Sequence, residues 1–232
     1  MSLRKPALDV VEYPETDGEP MAETDTHAQL MIDLRFSLSE FFREDSGVYV
    51  SGNLLLYYVE GDPRKRVAPD VFVVRGVAKR IRRIYKLWEE GRPPDIVFEV
   101  SSRQTWREDM YTKWRLYEQL GVTEYFIFDP EYDYLIEPLI GWRLIDGHYE
   151  PLNVEEGRVR SEVLALELVD TGETLRLFDP RTGQFLLTPA EEAEGRRAEA
   201  EGRRAEAEAR LQAEAEAERL RVELAQLRQR LE

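Results

Sequence analysis

Apolar and polar positions change their spacing several times along the chain, and each change marks an element. From Thr24 to about Arg43, the positions Leu30, Ile32, Leu34, Phe36, Leu38, Phe41 and Phe42 predict a largely buried helix capped by Thr24 or Asp25. Val48–Val50 and Asn53–Val59 read as strands, a hairpin or one bent strand, ended by Gly61-Asp62-Pro63. A further strand opens at Asp70 and runs to Val74. Val77–Glu90 has the spacing of an amphipathic helix, closed by Gly91 and followed by Pro93-Pro94. Asp95–Val100 is the strongest strand signal in the chain. Gln104–Leu120 then reads as a helix ended by Gly121, with Trp106, Met110, Trp114 and Tyr117 available for packing.

Glu124–Phe128 is a short strand closed by Asp129-Pro130. Between Tyr132 and Leu187, short strands punctuated by glycines predict antiparallel hairpins that extend or flank the main sheet. This order predicts an α/β fold with a mixed sheet flanked by helices, extra antiparallel strands and a C-terminal coiled-coil helix. The predicted organisation is a flexible acidic arm over 1–22, a domain over 23–188 and a tail over 189–232. In the tail, Gly195–Glu201 repeats identically as Gly202–Glu208. Ala213, Ala217, Leu220, Leu224, Leu227 and Leu231 then alternate by four and three, the spacing of a coiled-coil seam. Such a stripe cannot be buried by one helix alone, so the tail is expected to pair with a second copy, as a homodimer, or with a partner helix.

Composition narrows the class. With 42% apolar residues the chain supports a packed core, and no run approaches the roughly 18 apolar residues of a membrane span. The basic start at Arg4-Lys5 has no apolar stretch behind it and does not read as a signal peptide. The absence of cysteine excludes disulfides and thiolate metal sites, and the expectation is a cytoplasmic protein. A net charge of −15 argues against coating nucleic acid by charge alone. One basic strip runs against that balance, with Lys79, Arg80, Arg82, Arg83 and Lys86 as candidate DNA contacts. The plainer reading of the strip is the solvated face of the 77–90 helix.

The chemistry lies in two strands. Asp70 and Glu99 each stand where a structural strand carries Val or Ile, and a carboxylate inside a sheet is costly unless it is paired or holds a metal. By strand alternation Asp95, Val97, Glu99 and Ser101 share a face predicted to line a polar cleft, with Ile96, Phe98 and Val100 on the apolar side. Two carboxylates on adjacent strands can hold a hard cation such as Mg²⁺ or Mn²⁺, and a nearby ammonium can orient or deprotonate an attacking water. Lys113, one turn after Asp109, is the candidate ammonium. The plainer readings are a capping acid, a buried ion pair and a surface ion pair between Asp109 and Lys113.

These residues carry a resemblance. Pro69-Asp70-Val71, then Pro94-Asp95 with Phe98-Glu99-Val100-Ser101-Ser102, then Asp109, Lys113 and Tyr117, then Gly121–Phe126 and Asp129-Pro130 occur in that order. Together they resemble the Uma family of restriction-endonuclease-like proteins, within the PD-(D/E)xK nuclease superfamily, over about residues 24–188. The resemblance implies a restriction-endonuclease-like mixed sheet and a metal-dependent centre that cuts DNA, with Asp70 as first acid and Glu99 as second. The strand lysine of that motif falls at Ser101, so the resemblance moves its role to Lys113. It also leaves room for a further group from the first helix, Glu23 or His27. A second function is carried beside this one: an inactive nuclease fold serving as a binding or assembly module through its tail.

Overall fold

The computed structural model describes residues 11–16 and 24–229, and its architecture is built on alternation in three central strands. In β4 (Val71–Arg75), β6 (Ile96–Val100) and β7 (Glu124–Phe128), Val71, Val73, Ile96, Phe98, Phe126 and Phe128 enter one hydrophobic core. Phe72, Val74, Val97, Tyr125 and Ile127 enter a second core on the opposite face. The main sheet is mixed, in the order β1-β4-β6-β7-β8-β9, with β1 at Val48–Ser51, β8 at Leu139–Ile145 and β9 at His148–Pro151. Only β6 and β7 run parallel; the other neighbours are antiparallel.

The first helix, α1 (Asp25–Phe41), covers the first core with Leu30, Leu34 and Leu38, and Thr24 caps it by accepting the His27 N–H. A four-stranded antiparallel sheet adds Val159, Leu166, Leu168, Leu175 and Leu177 to the same core. Its strands are β10 (Arg158–Ser161), β11 (Leu166–Asp170), β12 (Leu175–Asp179) and β13 (Gln184–Phe185). Glu124, fully buried, ties this sheet to the main one: it accepts from Arg143 on β8 and from Ser161 Oγ on β10.

Two sequence expectations are corrected here. Residues 48–59 form neither a hairpin nor one bent strand. β1 pairs with β4, and the chain then turns out of the sheet at Gly52 and Asn53, the latter with φ +50°. Leu56–Tyr57 (β2) joins a separate small sheet, antiparallel to Arg66–Val67 (β3) and parallel to Tyr85–Lys86 (β5). The expected helix over 77–90 is reduced to α2, Leu87–Glu90. A helix would set Ile81 on the face of Val77 and Tyr85, yet Ile81 is 97% exposed while both neighbours are buried. Pairing of β5 with β2 and burial of the Arg82 guanidinium against Glu90 hold this stretch extended.

Where a flexible arm is expected, residues 11–16 are held against the domain. Tyr13 packs on Tyr57 and Trp88 and accepts from the Gly61 N–H, and Tyr57 donates to the Pro14 carbonyl. The described residues from Leu187 onward form a second unit. Its helix α4 (Pro189–Gln229) starts at a reciprocal capping box: Thr188 Oγ1 accepts from Glu191 N, and Glu191 Oε2 accepts from Thr188 N. Leu211, Leu220, Leu224 and Leu227 are exposed along it, and Leu231 lies outside the described residues. Among the described residues, no helix is long and apolar enough to cross a membrane.

Candidate active site

Pairing of β4 with β6 sets Val71 opposite Phe98, so Asp70, one residue before β4, arrives beside Glu99 and Val100. The Val100 N–H donates to Asp70 Oδ2 at 2.7 Å, and His27 on α1 brings Nε2 to 3.5 Å from the same oxygen. Asp70 keeps 16% of its side chain exposed and lines a cavity of about 200 Å³ with His27, Lys113, Ser102 and Tyr134. Burial opposes its ionisation, but the His27 contact and the charge of Lys113 prevail and hold its carboxyl below the ordinary range.

Glu99 is different. Its side chain is fully buried, with Oε2 2.9 Å from Lys113 Nζ and Oε1 accepting from the Tyr117 hydroxyl at 2.5 Å. Burial raises this carboxyl well above its usual range, only partly offset by Lys113, while Asp70 and Asp109 push the same way. The expected face of Asp95, Glu99 and Ser101 lining a polar cleft is therefore corrected. The face carrying Val97 packs against Tyr117 and Tyr125, which close over Glu99.

The helix expected over 104–120 contains a π-helical turn, Glu108–Lys113, that runs into α3, Trp114–Leu120. Such turns are short and wider than an α-helix, and here the Asp109 carbonyl accepts from the Tyr125 hydroxyl at 3.0 Å. Asp109 and Lys113 are a buried ion pair at 2.9 Å, not a surface one. Asp109 Oδ2 also accepts from Ser101 Oγ at 3.1 Å, so one carboxylate links the strand position of the missing lysine to the helix lysine. Burial raises the Asp109 carboxyl. Burial disfavours the Lys113 ammonium, yet Glu99, Asp109 and Asp70 outweigh it, and Lys113 is held charged above its usual range.

Asp70, Glu99, Lys113, Asp109, Ser101 and His27 thus converge. Asp95 does not: its carboxylate accepts from the Arg75 N–H and pairs with Arg92 at the opposite end of β6. Nor do the basic candidates form a helix face. Lys79 donates to the Phe42 and Arg43 carbonyls at the end of α1, Arg80 and Arg82 share Glu90, Arg83 pairs with Glu15, and Lys86 pairs with Glu89. Glu23 lies outside the described residues. The sequence offers Tyr117 for packing and as part of the family resemblance, and Tyr125 only as part of that resemblance; neither is a site candidate there. The signal for Tyr117 is the repeated four-residue step from Asp109 through Lys113, which puts three polar groups on one face.

The donor set suits a hard cation. Asp70, Glu99 and Asp109 bring three carboxyl groups around one ammonium, and all strong donors except His27 are oxygens. Among the described residues no group of three or more His, Cys, Asp or Glu stands close enough to hold a metal ion by itself.

Comparison with known proteins finds a matching family model and several matching solved chains. The family model Uma2, described as "Putative restriction endonuclease", matches residues 5–175. The crystal structure of a putative nuclease belonging to DUF820 from Anabaena variabilis ATCC 29413 aligns at 14% identity and TM-score 0.48, over 67% of this chain and 87% of that one. No curated protein matches the chain.

Proposed function

The chain belongs to the Uma2 family, and from that membership and its buried acidic centre we propose a metal-dependent endonuclease that hydrolyses DNA phosphodiester bonds. The observation that carries this reading is the meeting of Asp70, Glu99 and Lys113 at the junction of β4, β6 and the π-helical turn. Asp70 and Glu99 would hold Mg²⁺ or Mn²⁺ through oxygen, and His27 positions Asp70. When bound, the cation supplies charge neutralisation at the phosphate and acidification of a water that becomes the nucleophile.

The chain's own groups divide the remaining work. Lys113 stays an ammonium, so its part is to offset charge growing on the phosphoryl oxygens rather than to remove a proton. Asp109 aims that ammonium, and Tyr117 fixes the Glu99 carboxylate by donating to Oε1. Glu99 must lose its proton to serve as a ligand, which makes metal affinity rise with pH. One observation favours the second reading, a nuclease fold retained for assembly: both Glu99 oxygens are already engaged and its side chain is sealed.

Plasmid cleavage by the full chain with Mg²⁺ or Mn²⁺ separates the two. Wild type is expected to nick and linearise the plasmid, EDTA to stop it, and Asp70→Asn and Glu99→Gln to lose at least about a hundredfold in rate. Variants as active as wild type remove these residues from the mechanism. A wild type that neither cleaves nor takes up Mn²⁺ by calorimetry leaves the assembly module.

A further inference from the structure

We infer that one DNA strand lies through its phosphates along a groove that runs from Arg103 past Asp70 to Arg35 and Lys79. This rests on the nuclease reading above and adds to it the path of the substrate. Three cavities adjoin. The first, about 200 Å³, is lined by Arg103, Asp70 and Lys113. A second, about 210 Å³, shares Asp70 with it and is lined by Arg35 and Gly52. A third, about 410 Å³, shares Arg35 and Gly52 with the second and reaches Lys79. The shared lining residues make the three cavities neighbours along one path, with the acidic centre between its cationic ends.

The charges along it are available. Arg103 and Arg35 are both exposed, and among the described residues neither guanidinium has a carboxylate partner. The Lys79 ammonium is held by two carbonyls at the end of α1, which fix it without cancelling its charge. By contrast, Arg80, Arg82 and Arg83 of the strip that sequence singled out are each consumed by an acid. A polyanion crossing a centre of three carboxylates needs cations before and after it, and exposed guanidiniums match phosphate oxygens in a fork. Backbone contacts of this kind carry no base sequence; they set the register of the strand over the reacting bond.

The test is fluorescence anisotropy of a labelled DNA duplex titrated with the full chain in EDTA, across a salt series, beside a separate cleavage assay with Mg²⁺. Arg35→Ala and Arg103→Ala are each expected to weaken binding severalfold and to reduce the slope of log affinity against log salt by roughly 1. Arg160→Ala, exposed but outside the groove, is the control and keeps wild-type values. Unchanged binding in both variants, an equal loss in the control, or no binding by wild type overturns the path. Cleavage by a wild type whose variants bind normally overturns the path alone and leaves the hydrolase. Weakened variants in a chain that never cleaves keep the path and remove the hydrolase.

Discussion

Lys113 holds its ammonium 2.9 Å from Glu99 Oε2 although the two are fourteen residues apart and on different elements. The residue two places after Glu99, one past the end of β6, is Ser101, which reaches the same locality through Asp109. The positive charge is therefore supplied by the following helix to a place the strand could also have served. Lys113→Met is expected to lower Mg²⁺-dependent cleavage by about 10²- to 10³-fold. Ser101→Lys in that background is expected to restore part of the rate, measured as initial velocity on plasmid DNA. A folded double variant with no recovery would show that an ammonium here is not what the reaction lacks.

Tyr117→Phe isolates the hydroxyl that supports Glu99. The bond at 2.5 Å stabilises the carboxylate, so its loss raises a carboxyl that burial already holds high. If ionised Glu99 is needed for metal, the acid limb of the cleavage profile moves to higher pH in the variant. Stability falls by about 1–3 kcal/mol, because Glu99 Oε1 loses its donor in a buried place. A profile that keeps its acid limb, in a variant that melts earlier, would confine Tyr117 to packing.

Stability itself should carry the signature of Glu99. Its folded carboxyl is raised above the 4.5 of an unperturbed glutamate, so from that pH upward the unfolded chain releases a proton the folded chain retains. The contribution is present at low pH and is lost as pH rises toward the folded value. In metal-free buffer, Glu99→Gln is expected to flatten the decline in melting temperature with rising pH above 4.5. Asp70, held low, acts oppositely: its contribution is present above 3.8 and lost as pH falls through the folded value. Parallel melting curves for wild type and Glu99→Gln would contradict the raised carboxyl.

Much of the centre was legible because it violates local rules. Asp70 and Glu99 stand out as acids in apolar strands, and Asp109 and Lys113 as a four-residue pair. What alternation could not give was the covering of Glu99. A strand pattern says which face a residue takes, not that two tyrosines from another helix and strand will close that face. The π-helical turn was hidden for the same reason, since the hydroxyl that bonds its Asp109 carbonyl, that of Tyr125, lies on β7. Residues 77–90 misled because helical spacing was present, yet the pairing of Tyr85 with Leu56 and of Arg82 with Glu90 is set by tertiary contacts. Asp95 shares parity with Glu99, but four residues along a strand carried it to Arg92 and out of the site.

Gly52 positions the first acid through its missing side chain. A Cβ there would stand 2.3 Å from the Asp70 carbonyl oxygen, which is backbone and cannot swing aside. The next residue, Asn53, donates its N–H to the Pro69 carbonyl, so the strand exit and the Pro69-Asp70 segment are clamped together. Gly52→Ala must push these backbones apart, at a cost of about 1–3 kcal/mol. Cleavage should fall more than in a control of equal melting temperature, since displacement of Asp70 acts on rate beyond stability. Unaltered melting and rate would mean the turn relaxes without moving Asp70.

The tail should be separable from the chemistry. The described residues up to Leu186 form one compact unit and the 41-residue helix α4 belongs to the other. Along α4, Leu220, Leu224 and Leu227 are exposed at four- and three-residue steps, and a lone helix gains nothing from such a stripe in water. A chain ending at Leu186 is expected to melt within a few degrees of the full protein and to keep its cleavage rate per site. The full chain should self-associate with rising concentration, seen by sedimentation and by a concentration-dependent helical signal. Leu220→Glu with Leu224→Glu should abolish both without touching the first unit. If instead the full chain stays monomeric and its helical signal is constant with concentration, the leucine stripe is not a self-pairing seam. In that case any partner it has must be a different chain.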